Sequence, residues 1–248
     1  MISVIVPCYN EEENVLLYPE RLIPVAESAI RNYGEDCEFV LVDDGSRDRT
    51  LERLDALALA LGEGGHRITV VPHGVNRGMG AAIRTGLAHA KGDLVITMDS
   101  DLTYRPEDIA RLLAAYREKE ADCISASPYR GEGLADEVSS PFRLLVSRGV
   151  NLLYRILLGN DITCVSGIFR LYRKEALDGL TLTSNNFEID AEIISKLILG
   201  GRSVREIGVR LHRREFGESK LDVKKEVRNN LRILGRIFRV RFLGGRWE

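Results

Sequence analysis

Asp99-Ser100-Asp101 closes the apolar run Gly92-Asp93-Leu94-Val95-Ile96-Thr97-Met98. Side chains two apart on a strand share a face, so the two carboxylates are expected to converge at the strand's carboxyl end. Paired hard oxygens there suit a divalent cation and, through it, a phosphate. The competing reading is that Asp99 and Asp101 cap a turn and the helix after it, as aspartates often do. The surroundings bear on the choice.

The 248 residues, 44% of them hydrophobic, suffice for one large α/β domain with a full core. Apolar, β-branched runs at 2–7, 38–43, 67–72, 93–98 and 121–126 alternate with helical patterns near 12–32, 47–61, 78–90 and 106–119. Such βαβ units predict a mainly parallel, doubly wound sheet. These sheets bind ligands at their strands' carboxyl ends. Here those ends carry Pro7-Cys8-Tyr9-Asn10-Glu11-Glu12, Asp43-Asp44-Gly45-Ser46, Asn76-Arg77-Gly78-Met79-Gly80 and the Asp99–Asp101 segment, so four successive strands aim polar groups at one edge. The second half predicts a helix over 141–158, a mixed segment over 162–174, a helix over 187–199, a strand over 203–210 and a basic terminal helix. No Pro/Gly/Ser-rich linker or internal repeat separates the halves.

Gly78-Met79-Gly80 opens a helix after a strand, but Ile83 stands where a dinucleotide fingerprint has its third glycine, and the motif follows the third strand. A tight strand-to-helix turn explains the two glycines equally well. Asp43 and Asp44 are either a turn with an N-cap or acceptors for a base edge or ribose hydroxyl.

Cys8, Cys37, Cys123 and Cys164 form no Cys-x-x-Cys pair, which argues against a zinc site or disulfide scaffold and fits a reducing, cytoplasmic setting. Met1–Pro7 has no basic n-region and reads as a buried strand rather than an export signal. No apolar stretch reaches membrane-spanning length, Arg143, Arg148 and Arg155 interrupting the most apolar one. The net charge is −2, yet 220–248 holds nine Lys/Arg against three Asp/Glu. With an acidic body and a basic tail, nucleic-acid binding is not expected.

On the 141–158 helix, Phe142, Leu145, Val146, Leu152, Leu153 and Ile156 recur at helical spacing, while Arg143, Ser147 and Asn151 line another face at i, i+4, i+8. A guanidinium and a hydroxyl beside an apolar face suit a lipid phosphate. In the tail, Val227, Leu231, Leu234, Phe238 and Phe242 mark one face, with arginines on the others. That pattern fits a helix lying on an anionic membrane, or one docked on its own domain.

Val4-Ile5-Val6-Pro7-Cys8-Tyr9-Asn10-Glu11, Val42-Asp43-Asp44-Gly45-Ser46, Asn76-Arg77-Gly78-Met79-Gly80-Ala81-Ala82 and Met98-Asp99-Ser100-Asp101-Leu102 resemble the family-2 inverting glycosyltransferases of GT-A fold. Ser147-Arg148-Gly149-Val150-Asn151, Ser166-Gly167-Ile168-Phe169-Arg170-Leu171-Tyr172-Arg173 and Phe216-Gly217-Glu218-Ser219-Lys220-Leu221 are similar to the dolichol- or polyprenyl-phosphate mannose synthases among them.

The resemblance implies a catalytic domain over 1–221 and a membrane-interface or docking helix over 222–248. It implies a GDP- or UDP-linked donor held by Pro7, Tyr9, Asn10, Glu11, Asp43, Asp44, Asn76, Gly78 and Gly80. Asp99 would contact the nucleotide-sugar and Asp101 would bind Mg²⁺ or Mn²⁺. Thr103 stands where some relatives place an amide ligand, and a hydroxyl is the poorer one. Arg214 and Lys220, beside the Phe216–Ser219 loop, would close over the diphosphate, and Arg130, Arg143 and Ser147 would hold the acceptor phosphate. The implied reaction moves a mannose- or glucose-class sugar to a dolichyl or polyprenyl phosphate at the cytosolic membrane face, with a membrane-anchoring subunit left open. A phosphate acceptor is already ionised and needs no base, so Asp190 and Glu192 receive an orienting role. Two other readings stand beside it: a transferase to polysaccharide or glycoprotein, with Asp190 or Glu192 as base, and a catalytically silent nucleotide-sugar scaffold.

Overall fold

This computed structural model describes residues 1–131, 141–217 and 223–247, the side chains of 141–146 and 223–224 excepted. Strands β1 (Ile2–Cys8), β2 (Cys37–Asp43), β3 (Ile68–Pro72), β4 (Leu94–Thr97), β5 (Cys123–Ser127), β6 (Arg170–Arg173) and β7 (Val204–Gly208) form one sheet in the order β3-β2-β1-β4-β6-β5-β7. The helices are α1 (Glu12–Val15), α2 (Ile23–Tyr33), α3 (Thr50–Glu63), α4 (Met79–His89), α5 (Ile109–Glu118), α6 (Pro141–Leu158), α7 (Lys174–Asp178), α8 (Ile189–Leu199) and α9 (Val223–Leu243).

Alternation along β1 sends side chains into both layers. Ile2, Val4 and Val6 pack with Ile23, Ala26 and Ile30 of α2, while Ile5 packs with Ala82 of α4. The sheet is therefore doubly wound. The chain steps outward from β1 to β2 and β3, then returns to place β4 on β1's other side. The reversal between β1 and β4 opens a crevice at their carboxyl ends, where such sheets take ligands.

Two elements differ from the sequence reading. The helix expected over 12–32 is broken: α1 ends at Val15, a wide turn spans Tyr18–Leu22, and α2 starts at Ile23. Pro19 and Pro24 lack the amide protons a continuous helix needs. The mixed segment 162–174 contains β6, which is antiparallel to β4 and β5 in an otherwise parallel sheet. It escaped notice because it is four residues long and opens on Arg170, a charged residue that is nonetheless fully buried.

α6 and α9 pack on α8 with Tyr154, Leu158, Ile233, Leu234 and Ile237 buried between them. Most of the apolar faces singled out in the sequence point the other way. Leu152, Leu153, Ile156, Leu231, Phe238 and Phe242 are each at least 46% exposed. Asn151 turns inward, accepting a hydrogen bond from Val165 N at 3.2 Å. Among the described residues no helix is long and apolar enough to cross a membrane.

Candidate functional site

A cleft of about 490 Å³ lies over the carboxyl ends of β1 and β4. Its floor holds Asp99, Ser100, Asp101 and Thr103, but strand alternation does not bring the aspartates together. β4 stops at Thr97, and Asp99–Asp101 lie beyond it in a turn. That turn is held from three sides. Tyr18, buried in the wide turn, donates to Ser100 O at 2.9 Å; Thr103 N donates to Asp101 Oδ1 at 3.0 Å; Leu102 adopts φ 55°. A left-handed leucine is strained, and such strain persists only where neighbours impose it.

From β1's end, Pro7, Tyr9 and Glu11 line the cleft. Asn10 does not, being spent on joining two loops: its N donates to Ser46 Oγ at 2.9 Å and its Oδ1 accepts from Arg47 N at 2.8 Å. Asp44 and Asn76 also line the wall, but Asp44 is fully engaged. It pairs with His73 Nδ1 and accepts from Asn76 Nδ2, Arg77 N and Gly78 N, all within 3.0 Å. Asp43 Oδ2 accepts from Ser46 N at 3.2 Å, while its buried Oδ1 has no hydrogen-bond partner among the described residues. Of these two aspartates, Asp43 therefore keeps capacity for a further donor.

Gly78, at φ +93°, lines the cleft, and Gly80 lies beneath it. A Cβ on either would fall within 2.4 Å of the backbone of Ser184 or Asn185. The glycines thus seat the 184–186 loop against α4, a packing duty independent of any ligand.

Pro128, Tyr129, Asn186, Phe187, Asp190 and Lys225 also line the cleft. Ser147 stands behind Tyr129, its Oγ 2.8 Å from Tyr129 OH. Arg130 is turned from the cleft toward Asp161 at 3.4 Å and Glu206 at 3.6 Å. The Arg143 side chain and Lys220 lie outside the described residues. Lys225, in the first turn of α9, reaches Asn186 Oδ1 at 3.1 Å, so the helix read as a separate tail supplies part of the wall. No local motif announces it; only the fold brings 225 to 186.

The carboxyl groups of Glu11, Asp99, Asp101 and Asp190 line this cleft, and Arg214 enters against them, its Nη2 2.6 Å from Asp101 Oδ2. Burial first, then the charges of Asp101 and Asp190, hold the Asp99 pKa well above the ordinary carboxylate value, with Arg214 opposing. Asp190 is buried with neither oxygen hydrogen-bonded to a described residue. Burial pushes it up to about 7 although Arg170 lies 4.0 Å away.

Arg170 is spent on backbone: it donates to Val165 O at 2.7 Å and Asp190 O at 2.8 Å, and to Ser125 Oγ at 3.1 Å. It ties the loop beneath α6 to the start of α8 and to β5. Glu192 is likewise structural, accepting from Thr183 and Ser184 amides and pairing with Lys196 at 2.7 Å.

Among the described residues no three His, Cys, Asp or Glu side chains stand close enough to cage a metal on their own. An ion at Asp99 and Asp101 would have to complete its shell with water and phosphate oxygens. That donor set fits Mg²⁺ or Mn²⁺, which bind through one or two carboxylates plus substrate phosphates.

The fold and the site define a doubly wound α/β protein with an acidic cleft at its topological reversal. Residues 3–181 match the family model for glycosyl transferase family 2, and the chain belongs to that family. It is 33% identical over 224 residues to an undecaprenyl-phosphate 4-deoxy-4-formamido-L-arabinose transferase of Pectobacterium atrosepticum, a match covering 90% of this chain and 63% of that protein. The same figures hold for the transferase of that name from Pectobacterium carotovorum. The chain thus spans less than two thirds of the length of these relatives.

Among solved structures it is similar to glucosyl-3-phosphoglycerate synthase from Mycobacterium tuberculosis in complex with Mn²⁺, UDP and glucosyl-3-phosphoglycerate. The TM-score is 0.63 at 19% identity, over 97% of this chain and 79% of that one. The same enzyme with Mn²⁺ and UDP-glucose gives a TM-score of 0.62 at 20% identity, over 97% and 78% of the two chains. This likeness is one of fold, the GT-A arrangement.

Proposed function

We propose that this chain transfers a sugar from a nucleoside-diphosphate donor to a polyprenyl phosphate, inverting the anomeric carbon. The observation that carries the reading is a cleft lined by Asp99, Asp101, Arg214 and Tyr129, the last bonded to Ser147 of α6, whose exposed side carries Leu152, Leu153 and Ile156. The names of the two Pectobacterium relatives support the acceptor class.

In this reading Pro7, Tyr9, Glu11, Asp44 and Asn76 bound the nucleotide, and Asp43, buried and not itself lining the cleft, braces the Ser46 turn. Asp101 holds Mg²⁺ or Mn²⁺, with Asp99 on the donor side. The ion offsets the negative charge that grows on the diphosphate as the glycosidic bond breaks. Arg214 stabilises the same charge, joined by Lys220. Ser147 and Arg143 hold the acceptor phosphate, which attacks the anomeric carbon in line. It is already ionised at neutral pH, so no base is required. α6 and α9 rest on an anionic membrane at the cytosolic face. The unit 1–221 does the chemistry, while 222–248 supplies the membrane contact and, through Lys225, part of the wall.

The buried carboxylate of Asp190, with neither oxygen hydrogen-bonded to a described residue, favours a second reading in which it deprotonates a hydroxyl acceptor.

The test is to incubate the protein with Mn²⁺, polyprenyl phosphate and labelled UDP- and GDP-sugars covering mannose, glucose and 4-deoxy-4-formamido-L-arabinose. A labelled product that extracts into organic solvent and disappears with Asp101→Asn is expected. Label appearing only on a soluble sugar acceptor would assign the second reading.

A further inference from the structure

Asp101, 8% exposed, has both oxygens engaged. Thr103 N donates to Oδ1, and the Arg214 guanidinium lies 2.6 Å from Oδ2. The segment carrying Arg214 is anchored on each side of it. His212 N donates to Thr103 O at 2.8 Å, and Glu215 pairs with Arg21 at 2.7 Å. The backbone on both sides of Arg214 is thus held beside the Asp99–Thr103 turn, whichever way its guanidinium lies.

A divalent cation cannot take Oδ2 while a guanidinium occupies it, because the two positive charges would meet at contact distance. A diphosphate bound to the same cation offers the guanidinium an anion, with the oxygen pairs its fork matches.

We propose that Arg214 is an exchange residue: it holds the cation's place on Asp101 and passes to the diphosphate when the ion arrives, so that metal alone binds weakly and metal with nucleotide binds as a pair. The inference rests on the proposed metal site at Asp101. It assigns to Arg214 a penalty on metal binding that a simple diphosphate clamp would not have. Because binding free energies are reciprocal, the penalty shows equally in the metal's own affinity and in the nucleotide's dependence on metal.

The test is a Mn²⁺ titration followed by the electron paramagnetic resonance of the free ion, without nucleotide, with UDP and, in a parallel series, with GDP. Wild type, Arg214→Gln, Arg214→Lys and Asp101→Asn are compared, with circular dichroism to confirm folding. In wild type the nucleotide that binds is expected to tighten Mn²⁺ by about tenfold or more. Arg214→Gln should bind Mn²⁺ alone about tenfold tighter than wild type, with a smaller further gain from nucleotide. Arg214→Lys, which keeps a cation on the same loop, should fall between the two.

An Arg214→Gln protein that binds Mn²⁺ alone no tighter than wild type, while wild type and variant both bind it with nucleotide, overturns the exchange and leaves the metal site standing. Wild type that binds no Mn²⁺ with either nucleotide, or Asp101→Asn that binds it undiminished, overturns the metal site and the exchange together.

Discussion

At the ends of β1, β2 and β4 apolar strand residues are buried and polar groups gather at the rim, whereas α6 and α9 carry apolar residues on their exposed side as well as their buried one. On those helices Asn151, Tyr154 and Asn229 turn toward the protein, with Tyr154 OH bonded to Asn230 and Asn229 Nδ2 to Glu188. Leu153, Ile156, Phe238 and Phe242 face outward, and Arg148, Arg155, Arg228 and Arg239 accompany them. Under the proposed function the first region packs on the protein's own core and the second meets a lipid surface. The cleft would then lie where a nucleotide donor and a lipid-borne acceptor meet.

Arg170 joins the two regions, and removing it should produce the largest effect. Arg170→Met leaves Asp190 buried without its counter-charge and frees the carbonyls of Val165 and Asp190, at an expected cost of about 3–5 kcal/mol. Thermal unfolding measures this. The double variant with Asp190→Asn should recover part of the loss, and full additivity would mean that the two residues do not interact.

Asp190 sharpens the comparison from the chemical side. If the acceptor is a phosphate, Asp190→Asn keeps turnover within about tenfold of wild type, whereas loss of a general base costs about 10²–10⁴. A stability readout is independent of acceptor. The Asp190 pKa is raised from 3.8 to about 7, so the folded state keeps a proton that the unfolded state has released between those values. The unfolded state binds fewer protons there, and stability falls as pH rises through that window. Between pH 5 and 8 wild type should lose about 2–3 kcal/mol relative to Asp190→Asn, roughly 5–10 °C in Tm. Parallel Tm curves for the two proteins would contradict the assignment.

The four strand-end motifs were legible because each is a contiguous peptide following an apolar run, and such a chain has one sheet topology that fits. What positions Asp99 and Asp101 was not. Strand alternation was the wrong cause, and the true one depends on Tyr18, whose contact with Ser100 spans 82 residues. The duties of Gly78, Gly80, Asn10 and Asp44 in bracing loops also needed coordinates, since a turn glycine or an engaged aspartate has the same letter as a ligand-facing one. The tail illustrates the limit best. Its sequence holds two apolar sets one step apart, Ile233, Leu234 and Ile237 against Leu231, Phe238 and Phe242, and only packing shows that the first docks and the second does not.

In the proposed function the strand-end cleft takes the acceptor's phosphate and the outward faces of α6 and α9 take its lipid. Measuring transfer by Phe238→Asp/Phe242→Asp against wild type, on long-chain polyprenyl phosphate in anionic vesicles and on a short-chain, water-soluble prenyl phosphate, tests it most directly. A loss of about tenfold or more on vesicles, in step with lost vesicle binding, is expected together with unchanged turnover on the soluble phosphate. Equal impairment on both acceptors, or on neither, would contradict it.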